Sequence, residues 1–157
     1  MEDLQYKSKS GMFNTRVVGV CVKDGKVLIS KLKGDMFWTF VGGKPNFGEY
    51  TDDAAIREFE EEIGVKLQIE RLAAVVENFF EFQENNWHQY IFPYILKDEN
   101  NALELFEGER AIKDNAKGVY KWIDIENLEN EKIAPACFAQ ILANPQDGIQ
   151  HIINKEI

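Results

Sequence analysis

Glu58, Glu61 and Glu62 stand at i, i+3 and i+4 in a segment framed by two glycines, GKPNFGEYTDDAAIREFEEEIGV from Gly43 to Val65. This segment constrains the chain more than any other feature. On a helix of about 3.6 residues per turn the three carboxylates share one face, with neighbouring Cβ atoms about 5–6 Å apart. Like charges so placed weaken an isolated helix. A hard divalent cation offsets that repulsion, because Mg²⁺ prefers carboxylate oxygens, keeps several waters and is completed by substrate phosphates. The face reads as a platform for Mg²⁺ or Mn²⁺ and a phosphate ester. Ala55, Ile56, Phe59 and Ile63 fall on a separate arc and mark the buried side. Ala54 lies among the glutamates, where a methyl group leaves room for metal and phosphate, and Glu60 points to solvent. A run such as EFEEE alone would be an ordinary solvated helix face; Gly43, Glu49, Arg57 and Gly64 at these distances argue against that.

The sequence also marks the ends of the helix, expected from about Asp52 to Ile63. Thr51 is a candidate N-cap, Asp52 and Asp53 suit the first turn, and Gly64 suits a left-handed C-terminal position. The preceding loop carries Gly42 and Gly43, a pair that lets backbone approach a ligand closely or take positive φ. Arg57 can pair with Asp53 or Glu61 one turn away.

The nine positions Gly43, Glu49, Arg57, Glu58, Phe59, Glu61, Glu62, Gly64 and Val65 match G-x5-E-x7-R-E-U-x-E-E-x-G-U, with U a bulky aliphatic or aromatic residue. This pattern resembles the signature box of the Nudix, or MutT-like, hydrolases, and background frequencies give a chance match of roughly one in ten million. The resemblance implies an α/β fold, a Nudix-type α/β/α sandwich with a mixed β-sheet and a loop-helix-loop catalytic motif. It implies hydrolysis of a nucleoside diphosphate linked to another moiety, with Glu58, Glu61 and Glu62 as metal ligands and a Gly42 carbonyl in the metal shell. Arg57 would hold the glutamates, and Glu49 would be their partner or an outer ligand. Glu58 or Glu61 would serve as general base; elsewhere in the family a loop acid does so, for which Glu107, Glu109, Asp114, Glu77 and Glu81 are candidates. Val41 departs from the proline that many members carry before the glycine pair. Phe47 and Trp87, expected in loops, are candidates for stacking on a base, and His88 for a substrate contact. A pyrophosphohydrolase of RNA 5′ ends and a non-catalytic nucleotide sensor are the alternatives, and family habit suggests a homodimer.

At 157 residues and 45% hydrophobic composition the chain suits one domain. Its core is expected over about 15–143, with a polar, frayed N-terminus over 1–14. A net charge of −9 argues against a groove for duplex nucleic acid and favours cations between protein and polyphosphate. No apolar run is long enough to span a bilayer and no leader-type segment opens the chain. Cys21 and Cys137 have no metal or redox spacing. A cytoplasmic location is therefore expected.

Strands are expected over Arg16–Val22, Val27–Lys31, Phe37–Val41, His88–Leu96 and Val119–Ile125. The first two are joined by a hairpin turn centred on Asp24-Gly25. Lys66–Phe82 reads as two strands or one bulged strand, and Pro93 suggests an edge or a bulge. Asp98–Lys117 reads as a polar loop. A second helix is expected over Ala136–Leu142, ending before Asn144-Pro145, and the tail from Gly148 is ambiguous between strand and helix.

Overall fold

The computed structural model of the chain describes residues 2–143 and 147–156. The end of the second helix at Asn144-Pro145 lies outside the described residues. The strands are β1 (Gln5–Ser8), β2 (Gly11–Lys23), β3 (Lys26–Leu32), β4 (Thr39–Gly43), β5 (Gln68–Leu72), β6 (Ala74–Phe82), β7 (Asn85–Lys97), β8 (Arg110–Ala111), β9 (Gly118–Asp124) and β10 (Gln150–Glu156). Helix α1 spans Thr51–Ile63, a 3₁₀ helix spans Ile125–Asn130, and α2 spans Phe138–Ala143. The strands form one mixed sheet in the order β10-β6-β7-β2-β4-β3-β9-β8, with β1 on β2 and β5 on β7. The β2–β7 and β6–β10 pairs are parallel.

β2 organises the sheet. Along one edge it meets β1 from Gly11 to Asn14, β4 from Val17 to Gly19, and β3 at Val22 and Lys23; along the other it meets β7. Asp24 and Gly25 at φ 49° and 73° make the expected two-residue turn into β3. Side chains of β2 alternate between two apolar layers. Val17 and Cys21 face α1, whereas Val18 and Val20 face α2 and the 3₁₀ helix. Gly19 lies under α1, where a Cβ would sit 2.5 Å from Leu96 and 3.2 Å from Phe59. Its missing side chain lets the helix settle on the sheet.

Several expectations are corrected. The N-terminus is not frayed, because Gln5–Ser8 pairs with Gly11–Asn14 and the Leu4 amide donates to the Pro45 carbonyl at 2.9 Å. Pro93 is on no edge: β7 lies between β2 and the β5–β6 pair. The Pro93 carbonyl accepts from Ala73, the residue between β5 and β6, at 2.8 Å. A strand residue's N–H and C=O point the same way, so the missing donor faces that break in the ladder. Thr51 is not the N-cap; Tyr50 is, without a side-chain cap bond, while the Thr51 hydroxyl bonds the Tyr94 hydroxyl at 2.6 Å. Ala54 is fully buried in the layer under α1 rather than open beside the glutamates, and Ile56 is only half-buried. Trp87 lies in β7, not in a loop, and the tail resolves as strand β10. Cys21 and Cys137 are both free thiols, and burial pushes Cys21 up to about 12 and Cys137 to about 11.

Candidate active site

The glutamates of α1 are held from the loop before it. The Asn46 amide donates to Glu49 Oε1 at 2.9 Å and turns that carboxylate towards the helix. Arg57 grips it with two parallel bonds, Nε to Oε2 at 2.7 Å and Nη2 to Oε1 at 2.8 Å. The same guanidinium donates from Nη1 to Glu58 Oε1 at 2.9 Å and to both Glu61 oxygens at 3.3 Å, and from Nη2 to the Lys44 carbonyl at 3.3 Å. Arg57 thus ties three carboxylates to the glycine loop, and Asp53 takes no part. The hydrogen bonds to Arg57 hold Glu49 below the usual carboxylate range.

Gly43 packs directly on Glu58. A Cβ there would overlap the carboxyl carbon and lie 2.5 Å and 2.6 Å from the two oxygens. Burial raises the Glu58 carboxyl above its ordinary value despite Arg57. Glu62 is shifted further, to about 8, by burial first, opposed by the Arg16 charge and reinforced by Glu58 and Asp114. The Gly42 amide donates to it, yet Glu62 Oε2 is buried with no hydrogen-bond partner. Glu61 is the most open of the three, its side chain 44% exposed. Gly64 closes the helix at φ 85°, its N–H 2.8 Å from the Glu60 carbonyl. The polar loop docks on this end through the Lys113 amide and the Glu62 carbonyl at 2.9 Å.

Among the described residues no three acidic side chains converge on one point as they stand, since Arg57 lies between Glu58 and Glu61. The residues nonetheless fit a hard divalent cation. The donors are all oxygens, one buried oxygen lacks a partner, and a glycine lets the Glu58 carboxylate lie against the loop backbone.

Beside these glutamates, on the α2 face of the sheet, lies a cavity of about 430 Å³. Arg16 lines it while its charge also faces Glu62 and Glu58. Lys44 lines it while its carbonyl accepts from Arg57. Trp87 is on its wall, stacked on Phe80 with centroids 5.7 Å apart and planes 8° apart. Sequence reasoning missed Arg16, Gln5, Asn14, Asn78 and Gln89 in this wall. The signal available was a single amide on each inward face, Asn78 between Val76 and Phe80 in β6 and Gln89 between Trp87 and Ile91 in β7.

The other expected substrate contacts are not brought here. Phe47 is 78% exposed and does not line the cavity. His88 lies on the opposite face of β7 from Trp87, against Phe79, Phe13 and Tyr90. Of the loop acids, Asp114 is the one whose charge reaches Glu62. Glu107, Glu109 and Glu81 are exposed, and Glu77 pairs with His151 at 2.5 Å.

Known proteins share this fold. The NUDIX domain profile matches residues 13–143. The uncharacterized Nudix hydrolase YvcI of Bacillus subtilis (strain 168) is 25% identical over 122 residues, 71% of this chain; the match spans 66% of that relative's length. The MutT protein from Bacillus halodurans superposes with a TM-score of 0.68 at 17% identity, covering 90% of each chain. An ADP-ribose pyrophosphatase from Streptococcus suis superposes with a TM-score of 0.56 at 13% identity, covering 90% of this chain and 98% of that one. At these identities the superpositions speak for the fold alone, and no helix among the described residues is long and apolar enough to cross a membrane. With the profile covering most of its length and the glutamate helix set on the expected glycine loop, the chain belongs to the Nudix hydrolase family.

Proposed function

We propose that the chain hydrolyses the diphosphate link of a small nucleotide with Mg²⁺ or Mn²⁺ held by Glu58, Glu61 and Glu62, the Gly42 main chain completing the set. The observation that carries this is the unpartnered buried oxygen of Glu62, on the same helix face as a Glu58 carboxylate cradled by Gly43. A divalent ion there supplies charge for the phosphate oxygens and lowers the pKa of bound water. Arg57 fixes the carboxylates through Glu49 and keeps them from splaying. Arg16 and Lys44 neutralise phosphate on the cavity side, and the rest of the nucleotide extends into the cavity. Glu61 is the best placed of the three to take a proton, being the most open and held by only long contacts to Arg57. Among loop acids Asp114 is the one near enough to substitute for it.

The test is turnover on a panel of nucleoside triphosphates, nucleotide sugars, ADP-ribose and dinucleoside polyphosphates with each metal, with products identified. Cleavage of none of these anhydrides, with either ion, removes the proposal. Gly43→Ala is expected to push the Glu58 carboxylate aside and raise the half-saturating Mg²⁺ concentration by about tenfold, as loss of a supporting group around a metal does. A magnesium titration of turnover reads this directly, and an unchanged midpoint would show that the cradle does not matter.

A further inference from the structure

Five amide side chains lie in one row straight across the sheet. Gln5 is the register partner of Asn14, Asn14 of Gln89, Gln89 of Asn78, and Asn78 of Asn154. Asn154 Nδ2 donates to Asn78 Oδ1 at 2.8 Å, Asn78 Nδ2 to Gln89 Oε1 at 3.1 Å, Gln89 Nε2 to Asn14 Oδ1 at 2.8 Å, and Asn14 Nδ2 to Gln5 Oε1 at 3.3 Å. The row ends on opposite charges. Lys44 Nζ donates to Gln5 Oε1 at 3.0 Å, and Glu156 Oε1 accepts from Asn154 Nδ2 at 3.1 Å.

These ends give the row one direction. A lone amide can turn over and exchange its oxygen and nitrogen. An ammonium only donates and a carboxylate only accepts, so Gln5 shows oxygen to Lys44, Asn154 shows its NH₂ to Glu156, and each amide between them follows. The bonds left over are then unequal. Gln5 Oε1 takes two donors, so Gln5 keeps two N–H groups and no lone pair. Asn154 Nδ2 spends both its hydrogens, so that end keeps only acceptors, with Glu156 among them. Gln5, Asn14, Gln89, Asn78 and Glu156 all line the cavity.

A merely structural row would be an expensive way to fill a sheet. Asn14, Asn78 and Gln89 are 5%, 5% and 7% exposed, and the amide hydrogens and lone pairs that the row's own bonds leave over cost free energy when buried without a partner. On the same face, apolar packing resumes two residues further along, at Ile91, which still lines the cavity, and at Val76, which does not. The polar positions coincide with the cavity.

The donor end is also the corner nearest the glutamates, since Lys44 and Arg16 connect to both. Phosphate oxygens, which only accept, suit that corner. The stacked Trp87 and Phe80 flank the middle of the row, on β7 and β6, and suit a flat ring. The far end, at Asn78 and Glu156, suits a donor on that ring. We propose that the row orients the nucleotide along its own polarity and selects bases bearing an exocyclic amino group, of the adenine and cytosine type, over their oxo counterparts hypoxanthine and uracil. This rests on the nucleotide reading above and adds the identity of the base. An oxo group at the far end would set acceptor against carboxylate and lose the bond that an amino group makes there, which is how a site built for hydrogen bonds rejects an analogue.

Calorimetric titration with ADP against IDP and CDP against UDP, in Mg²⁺, tests it without requiring cleavage. The amino member of each pair is expected to bind about tenfold tighter, the scale of one hydrogen bond to a charged group. Glu156→Ala, a change at an exposed position, is expected to bring both ratios down several-fold. Equal or reversed affinities, absence of binding, or ratios untouched by Glu156→Ala would overturn the proposal. Turnover separates it from the hydrolase reading: selective binding without cleavage removes the hydrolase and keeps the base reading, and cleavage without selectivity does the reverse.

Discussion

Glu58→Gln is expected to lower turnover by at least about 10²-fold while leaving the protein as stable as before or more so. The two halves of this result have one cause. Glu58 packs against Gly43 and is raised above the ordinary carboxylate value because burial outweighs the help of Arg57. A folded-state value above the unfolded one means that the charged form costs stability near neutral pH. Glutamine has the same shape, keeps an oxygen for Arg57 Nη1, and removes the charge. It also removes a metal ligand. Glu61→Gln is expected to lose as much activity with almost no change in Tm, because Glu61 is largely open and its Arg57 contacts are long. The measurement is kcat together with thermal unfolding in metal-free buffer for both variants. Near-wild-type kcat in Glu58→Gln would falsify the placement of Glu58 at the metal; a large drop in its Tm would mean that the Arg57 pair dominates.

The contrast between these glutamates and the amide row shows what a sequence can disclose. The glutamates lie within one helical turn, so the 3.6-residue period alone puts them on one face, and Gly43 and Gly64 mark the loop and the cap by local backbone needs. The Asp24-Gly25 turn was legible for the same reason. The amide row was not, because its members come from five strands and meet only through register. Gln5 and Asn14 stood in a polar segment with no apolar alternation, which reads as frayed until β1 is seen to pair with β2. Pro93 misled because its tolerance depends on a break in a neighbouring strand. Thr51 misled because the hydroxyl of a distant tyrosine, Tyr94, takes the bond a cap would make. Trp87, expected in a loop as a candidate for stacking on a base, is instead a strand residue stacked on Phe80 in the cavity wall. Local periodicity therefore reached the proposed catalytic face, and long-range pairing decided the wall of the cavity.

Metal-free protein is expected to lose stability as pH rises from about 5 to about 8, and added Mg²⁺ to restore it most at the alkaline end. Burial, reinforced by Glu58 and Asp114 against the opposing charge of Arg16, lifts Glu62 from 4.5 to about 8. Through that window the folded chain holds a proton that the unfolded chain has released, so stability is full below the unfolded value and declines until the folded value is passed. Glu58 shifts in the same direction and adds to the slope. Glu49 shifts the other way, and its contribution is lost only as pH falls below the ordinary carboxylate range. At about 1.4 kcal/mol per unit, discounted for partial solvent access, the window is worth on the order of 2 kcal/mol. In a chain of this size that is roughly 5 °C in Tm. A divalent ion takes the place of the proton, so its stabilisation grows as the competing proton leaves. Tm at pH 6 and pH 8.5, with EDTA and with Mg²⁺, gives both slopes. Glu62→Gln, which needs no proton to be neutral, is expected to flatten most of the metal-free slope and to shrink the response to Mg²⁺. A slope of wild-type size in that variant would move the titration to some other group and detach the unpartnered oxygen of Glu62 from metal binding.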